Sequence, residues 1–267
     1  MLARQRLLDR DGITIDDVAC RHDAGRGREI EPGHGHALVL VRRGCFIRRT
    51  QHGSELLDPT VAYCLNPGDE QRYDHPSHGG DDCTAIGLDA ATATALWGGE
   101  RLPTSPLPTP PQIDLRHRQL LAAAGREGDP DELYEHALML TAGVLAQRDS
   151  ARVEAGRPAT RRARRRLVDD AREALVTDPG RRLPELAHDL GASPNHLSRL
   201  FHAHTGHTIS RYRLLLRARN AREQIAAGER DLARLAADLG FADQSHLCRV
   251  IRSQTGRTPT ALREAIA

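Results

Sequence analysis

Short apolar runs separated by turn residues dominate the first hundred positions of the chain. The apolar runs occupy residues 37–41, 45–49, 61–65 and 84–88. Glycine, proline and asparagine interrupt the sequence between them, at residues 43–44, 52–53, 66–68 and 78–80. Runs of this length bounded by turn residues indicate β-strands, and several short strands at close spacing favour a small barrel or sandwich.

The pattern changes in the middle of the chain. Residues 101–111 (RLPTSPLPTPP) are proline-rich, which predicts an extended linker. Two helices are expected to follow, the first holding Ile113, Leu115, Leu120 and Leu121. The second should begin at Asp129-Pro130, and its apolar stripe consists of Leu133, Ala137, Leu140 and Val144. A stripe of this kind is typical either of intramolecular core or of a dimer contact, and both interpretations stay open.

One helical pattern occurs twice in the last hundred residues. Leu183, Leu186, Ala187, Leu190 and Gly191 recur, at an offset of 49 residues, as Leu232, Leu235, Ala236, Leu239 and Gly240. Each set marks one helix face followed by a glycine stop. A second helix follows each glycine at an offset of 50, begun by Ser193-Pro194 or by Asp243. Agreement over some 27 residues indicates an internal duplication.

Helix, glycine-containing turn and helix form the helix-turn-helix layout, whose second helix enters the major groove of DNA. Its packed face would hold Leu197, Leu200 and Phe201 in the first unit and Leu247, Val250 and Ile251 in the second. The predicted DNA-binding residues are Asn195, Ser198, Arg199, His202, Gln244, Ser245, His246, Arg249 and Arg252, with Cys248 beside them. Arginine suits guanine and asparagine suits adenine. The alternative is that Arg199 and Arg249 only solvate the surface. A long helix over residues 209–227 would set the spacing of the two units.

Charge divides the chain in the same way as the hydrophobic pattern. Residues 157–267 contain 21 Arg and 12 acidic residues, whereas residues 1–156 contain 17 Arg and 24 acidic residues. An acidic half joined to a basic half is typical of a sensor attached to a nucleic-acid reader. All basic residues are arginines, which we interpret mainly as a coding bias.

The C-terminal hundred residues resemble the DNA-binding domain of the AraC/XylS family of bacterial transcription regulators. The matching positions are Ala187, Gly191, Ser193, Leu197, Arg199, Phe201, Gly206, Tyr212, Arg217, Ala221, Ala236, Gly240, Phe241, Ser245, Arg249, Gly256, Pro259 and Arg263. Ile251 and Leu262 depart from the pattern, because the family usually has aromatic residues there. The resemblance implies binding to asymmetric promoter sites through both units.

The N-terminal region resembles, more weakly, the cupin-like sensor domains of that family, through Arg43-Gly44-Cys45-Phe46 and Asn66-Pro67-Gly68-Asp69. The resemblance implies a barrel with an interior effector pocket. His34-Gly35-His36 is similar to the paired histidines of metal-binding cupins, but no nearby Glu follows and Gln71 or Arg72 stands where a ligand His is expected. A catalytic or metal-dependent cupin is therefore disfavoured, and we predict no catalytic residue, metal or cofactor.

The positions of three cysteines suggest a different kind of site in the N-terminal region. Cys45, Cys64 and Cys83 fall in or beside predicted strands, and three thiols converging on one point could bind a soft metal or react with an oxidant. His75, His78, Asp81 and Asp82 are expected in one nearby loop. The alternative is that the cysteines are small buried apolar residues. Cys20 carries no such argument.

These observations predict a multidomain chain with both α and β regions. We expect a cupin-like barrel over residues 1–100, a linker and helical segment with a possible dimer contact over 101–156, and an all-α domain of about seven helices over 157–267. The function indicated is sequence-specific transcription regulation, controlled by a small molecule, a metal or a thiol signal. Expected partners are double-stranded DNA, RNA polymerase and a second copy of the chain.

Five cysteines without a CxxC pair, no targeting segment and no apolar span of about 18 residues favour the cytoplasm and no membrane contact. A small-molecule cupin enzyme with an attached nucleic-acid module, and a constitutive DNA-binding protein, are the alternatives.

Overall fold

The computed structural model describes residues 2–21, 25–26, 30–51, 53–75, 80–126, 129–147 and 158–266. Its strands are β1 Leu2–Arg10, β2 Ile13–Cys20, β3 Gly25–Arg26, β4 Glu31–Pro32, β5 His36–Arg43, β6 Phe46–Thr50, β7 Gly53–Leu57, β8 Val61–Leu65, β9 Glu70–His75, β10 Asp81–Leu88 and β11 Leu107–Pro108. Its helices are α1 Ala90–Trp97, α2 Pro111–Gly125, α3 Pro130–Leu145, α4 Pro158–Thr177, α5 Leu183–Asp189, α6 Pro194–Thr205, α7 Ile209–Ala226, α8 Leu232–Asp238, α9 Gln244–Thr255 and α10 Pro259–Ile266. Among these helices, none combines the length and the apolar character that crossing a membrane requires.

Two antiparallel sheets make up the N-terminal region. The larger has the strand order β1-β2-β10-β5-β8-β11, and the smaller has the order β3-β9-β6-β7, with β4 paired to β9. The four predicted apolar runs are confirmed as strands, within or at β5, β6, β8 and β10. β1 and β2 were not predicted: β1 is an edge strand with mostly exposed polar side chains, and β2 carries two adjacent aspartates.

The larger sheet buries apolar side chains on both of its faces. On one face Val39 and Val41 pack with Phe46 and Tyr63 between the two sheets. On the other face Leu38 and its neighbours pack against helices α1, α2 and α3. Alternate residues of a strand point to opposite faces, so a strand covered on both sides becomes continuously apolar, as β5 is.

The apolar stripe predicted for α3 lies in this second core. Leu133, Ala137, Leu140 and Val144 are all buried within the chain. These four side chains are therefore intramolecular core, and they are not available to a second copy. The Asp129 carboxylate accepts a hydrogen bond from the backbone N–H of Asp131, as expected for a helix cap.

The proline-rich segment 101–111 is attached to the sheet. Leu102 and Leu107 are buried, and the Asn66 side chain both donates to the Leu102 carbonyl and accepts from its N–H. Residues 107–108 form strand β11 on β8, and the Thr109 N–H donates to the carbonyl of Thr60. The prediction of a linker was wrong here, because two buried leucines and one buried amide fix the segment in place.

The cysteines do not converge as the sequence allowed. Cys64 lies in the core beneath the helices, whereas Cys83 lies between the two sheets, so they occupy opposite faces of one sheet. Cys45 is also buried. Even spacing along the chain gave no information on which face each strand residue occupies. His75 ends β9 and Asp81 begins β10, while His78 lies outside the described residues.

The C-terminal region is all-helical, and the seven helices α4–α10 that the structure describes confirm the predicted class. α4, α5, α6 and the first half of α7 share one core, and the second half of α7, α8, α9 and α10 share the other. Leu115 and Ala122 of α2 pack against the second core. α2 thus belongs to both regions, since its Ile113 and Leu120 lie in the core beneath the larger sheet.

Candidate nucleic-acid interface

Two helix-turn-helix units stand side by side in the C-terminal region, α5–α6 and α8–α9. Gly191 and Gly240 follow the first helix of each unit with φ of 62° and 70°, in the left-handed region that favours glycine. Ser193 accepts a hydrogen bond from the backbone of His196, and Asp243 accepts the equivalent bond from His246. Both caps agree with the sequence prediction.

Equivalent hydrogen bonds form at equivalent positions of the two units. The Thr205 hydroxyl donates to the Phe201 carbonyl at 2.7 Å, and Thr255 donates to the Ile251 carbonyl at 2.8 Å. The Arg213 guanidinium donates to the carbonyl of Pro179 ahead of the first unit. Arg263 does the same ahead of the second unit, to the carbonyl of Glu229. The duplication inferred from sequence is therefore a duplication of structure.

One face of each second helix is buried, as predicted. Leu197, Phe201, Leu247 and Ile251 are fully buried, and Val250 is nearly so. Leu200 is half-buried. Phe201 also meets Tyr212 of α7 edge to face, with 5.1 Å between ring centroids. The packed face fixes how each helix rotates about its axis, and so fixes which side chains point outward.

The opposite face of both helices is polar and open. Of the predicted DNA-binding residues, the exposed ones are Asn195, Arg199, His202, Gln244, Ser245, Arg249 and Arg252. Ser198 is half-buried at the edge of this face. Among the residues that the structure describes, Arg199, Arg249 and Arg252 have no hydrogen-bonding or acidic partner. Three arginines without internal partners on two equivalent helices leave their donors available to an external acceptor.

His246 has a role inside the chain that the sequence did not indicate. Its ring packs edge to face on Phe241, 5.5 Å between centroids, and its Nδ1 accepts from the backbone N–H of Ala242 at 3.3 Å. It is half-buried, unlike His196 at the matching position of the first unit. His246 therefore shapes the turn of the second unit, and only its remaining edge faces outward.

The first half of α4 is a second basic surface. Its exposed arginines are Arg161, Arg162, Arg164, Arg165 and Arg166. In the described part of the chain, Arg166 lies 3.9 Å from Asp170, and the other four reach no ion-pair partner. Closely spaced unpaired arginines create a positive field, which is the electrostatic signature of phosphate binding. The signal was present in the sequence as a run of basic residues.

A buried polar cluster joins the N-terminal region to helices α4 and α7. Asp58, after β7, is completely buried, and the Arg172 guanidinium of α4 lies 2.7 Å from its carboxylate. The Tyr212 hydroxyl of α7 also donates to Asp58. Burial opposes ionisation, but Arg172 and the hydrogen bonds from Thr60 and Tyr212 hold the pKa of Asp58 below its usual value. The carboxylate is therefore ionised in the folded chain.

A second cluster joins α2 to α7 and to α9 of the second unit. The Asp114 carboxylate contacts three guanidinium groups, those of Arg118, Arg219 and Arg222. Arg222, almost fully buried, donates to Gln254 of α9 at 2.6 Å. Burial alone would raise the pKa of Asp114, yet these arginines hold it well below the usual value. No local sequence pattern announces either cluster, because the partners are up to 154 residues apart.

Comparison with known proteins agrees with this geometry. Residues 186–265 match the family model described as a helix-turn-helix domain. No curated protein sequence matches the chain. Among solved structures, ToxT from Vibrio cholerae has a TM-score of 0.37 at 12% identity, over 97% of this chain and 99% of that one. A cupin domain from Bordetella pertussis has a TM-score of 0.28 at 17% identity, over 33% of this chain and 94% of that one.

Structural similarities at these TM-scores say nothing about what this chain binds. The family match extends from α5 to α10 and contains both repeated units. Residues 186–265 therefore form a helix-turn-helix domain of the type that this family model describes.

Proposed function

We propose that this chain is a transcription regulator that binds a single asymmetric DNA site through α6 and α9 together, and that its N-terminal region controls that binding. The observation that carries the proposal is the repeated recognition face. Two helices with equivalent packed faces and equivalent N-caps each present exposed arginine that, among the described residues, has no internal partner. Solubility alone would not require the same register in both units.

We assign the base contacts from the hydrogen-bonding groups of each side chain. Arg199 and Arg249 each fit the O6 and N7 acceptors of a guanine, and Asn195 fits the edge of an adenine. His202, Arg252, Gln244 and the serines Ser198 and Ser245 then contact either bases or the flanking phosphates. His246 contributes through its outward edge while supporting Phe241. α7 packs against both recognition helices, so it would hold them at the separation of successive major-groove turns, about 34 Å.

Control from the N-terminal region is supported by the two buried clusters. Asp58, in the loop after β7, contacts Arg172 of α4 and Tyr212 of α7. Asp114 of α2 contacts Arg219 and Arg222 of α7. Any shift of the loop after β7, or of α2, would therefore act on the helices that orient α6 and α9. The signal that controls DNA binding is a small molecule, a metal or a thiol reagent, and it acts in the cytoplasm. RNA polymerase and a second copy of the chain remain expected partners.

The described residues between the two sheets leave little space for an effector. The interior between the sheets is filled by Phe46, Tyr63 and Tyr73, which pack edge to face or tilted. A cavity lined by Arg48 and Gln71 has a volume of about 20 Å³, room for one water molecule, whereas small-molecule sites commonly hold 300 Å³ or more. An interior effector would therefore have to displace side chains, which is one way to move the loop after β7.

Selection of bound duplexes from a random DNA pool tests the proposal at near-physiological salt. The expected result is one enriched site with two conserved boxes whose centres lie about one helical turn apart. Loss of all enrichment, with binding that fades uniformly as salt rises, would show electrostatic binding only and contradict the proposed function. An enriched site whose affinity no cell extract alters would instead favour a constitutive DNA-binding protein.

A further inference from the structure

Three metal-ligating side chains meet at one end of the space between the two sheets. Cys20 ends β2 and Asp81 begins β10, and the strand register places these two residues directly opposite each other. His75 ends β9 of the smaller sheet. The Cys20 Sγ lies 3.4 Å from the His75 Nε2, and the Asp81 Oδ1 lies 2.8 Å from the same nitrogen. All three ligand atoms lie within 4.8 Å of one another.

The arrangement does not match a catalytic triad. In a triad the nucleophile contacts one imidazole nitrogen and the carboxylate contacts the other. Here the Cys20 sulfur and the Asp81 carboxylate both contact Nε2 of His75. Burial and the Asp81 charge also raise the pKa of the Cys20 thiol to about 11, the opposite of an activated nucleophile or a redox-reactive thiolate.

The surrounding charges favour a cation at this point. Asp82, the next residue, is neutralised by Arg21 and Arg43, at 2.6 and 2.7 Å. Asp81 faces inward, and its described side-chain partners are His75 and Cys83. The Cys83 thiol donates to the second carboxylate oxygen of Asp81 at 3.3 Å, as an outer partner that orients a ligand. A thiolate and a carboxylate together would balance the charge of a divalent ion.

We propose that Cys20, His75 and Asp81 form a binding site for a divalent metal ion of the zinc type. One sulfur, one imidazole nitrogen and one carboxylate oxygen are the donors that Zn²⁺ accepts. Tetrahedral coordination at ordinary bond lengths separates sulfur from nitrogen by about 3.5 Å and nitrogen from oxygen by about 3.3 Å. The first separation is already present, and the second requires the His75–Asp81 hydrogen bond to open by about 0.5 Å. A water molecule would take the fourth position, and the Cys20 proton would be released on binding.

This site differs from the paired-histidine motif considered in the sequence. His34 is exposed and His36 is buried, and among the described residues neither joins a group of metal-ligating side chains. The proposed ligands come from three strands of two sheets, so a bound ion would tie β2, β9 and β10 together. The inference does not depend on DNA binding by the C-terminal domain.

Titration with Co²⁺ tests the site in the full-length protein, after reduction and removal of metal with a chelator. We expect one Co²⁺ per chain with a thiolate-to-cobalt charge-transfer band, displaced by Zn²⁺. Cys20→Ser should abolish the band, and His75→Gln and Asp81→Asn should each weaken Co²⁺ binding at least tenfold. Cys83→Ala should weaken it about 10–100-fold by removing the orienting hydrogen bond. Cys248→Ser, a cysteine substitution in the C-terminal region, is the matched control and should leave Co²⁺ binding unchanged.

Absence of the charge-transfer band in the wild-type protein, or its persistence in Cys20→Ser, overturns the proposal. Far-UV circular dichroism checks that each variant folds. If Cys20→Ser does not fold, the decision rests on His75→Gln and Asp81→Asn, which retain the thiol. Wild-type affinity for Co²⁺ in both of these variants would equally overturn the proposal.

Discussion

The carboxylate of Asp58 and the guanidinium of Arg172 lie 2.7 Å apart, although 114 residues separate them in the chain. Asp58 has no exposed surface, and Arg172 has little. The pair connects the turn between β7 and β8 to α4, the first helix of the all-helical C-terminal region. Removing two charges from water costs free energy, and each buried charge therefore needs its partner. The pair thus specifies how the two regions pack together.

Replacing Asp58 with Asn tests how much this pair stabilises the fold. The substitution keeps the shape but removes the closer of the two carboxylates that contact the Arg172 guanidinium, leaving only Asp169 at 3.3 Å. We expect the free energy of unfolding to fall by about 3–5 kcal/mol, as when one partner of a buried ion pair is removed. Urea unfolding followed by circular dichroism measures it. The control is Asp9→Asn, which removes an exposed carboxylate paired with Arg6 and should leave stability unchanged. Equal stability of both variants would show that the Asp58 pair is dispensable.

Arginine substitutions on the recognition helices separate base reading from general attraction. Arg199→Ala should cost about 1–3 kcal/mol of binding free energy and relax base preference in one half of the site. Arg249→Ala should do the same in the other half. Fluorescence anisotropy on the selected duplex and on single-base variants measures both effects. Arg72→Ala, an exposed arginine of β9, removes the same charge and serves as the control. Unchanged base preference in both α6 and α9 variants would refute the assignment of the recognition faces.

The basic surface of α4 should act on affinity without acting on sequence preference. Arg161→Ala combined with Arg162→Ala should weaken binding to all duplexes alike. Each lost phosphate contact should reduce the slope of log affinity against log salt by about 1. Binding measured from 50 to 200 mM salt gives this slope. If the double variant keeps the wild-type slope of log affinity against log salt, α4 does not contact the DNA.

His117 should make stability depend on pH in mildly acidic solution. Burial, opposed by Asp114 but reinforced by Arg42, Arg118 and Arg219, lowers the pKa of His117 from 6.5 to about 3. In the unfolded chain His117 therefore binds a proton below about pH 6.5. In the folded chain it binds that proton only below about pH 3. The free energy of unfolding must fall as pH falls through this window, by about 2 kcal/mol between pH 6.5 and 5.

His117→Gln provides the measurement. Glutamine does not titrate, and it retains a group that can bond the Thr84 hydroxyl, which His117 meets at 2.8 Å. Urea unfolding at pH 7 and pH 5 should show a smaller loss of stability in this variant than in the wild type. His202→Gln, an exposed histidine of α6, should keep the wild-type loss. An identical loss in all three proteins would mean that His117 is protonated in the folded chain.

Elements with a local pattern were predictable. The doubled spacing of leucine, alanine and glycine from Leu183 onward located both helix-turn-helix units, their caps and their outward faces. Helical periodicity states which residues share a face, and a buried face determines the exposed one. β1 escaped prediction because an edge strand exposed to water needs no apolar alternation. α1 escaped because eight residues rich in alanine and threonine carry little periodic signal.

The sequence by itself therefore determined the class of the chain, the two helix-turn-helix units and the side chains on their exposed faces, since each depends on contacts within a few helical turns. Only the tertiary structure decided that residues 101–111 are anchored, that Cys64 and Cys83 lie on opposite faces of a sheet, and that Cys20 meets His75 and Asp81. It also decided the pairing of Asp58 with Arg172. Such relationships depend on strand register and on packing between distant segments, and the distance along the chain between two residues carries no information about either.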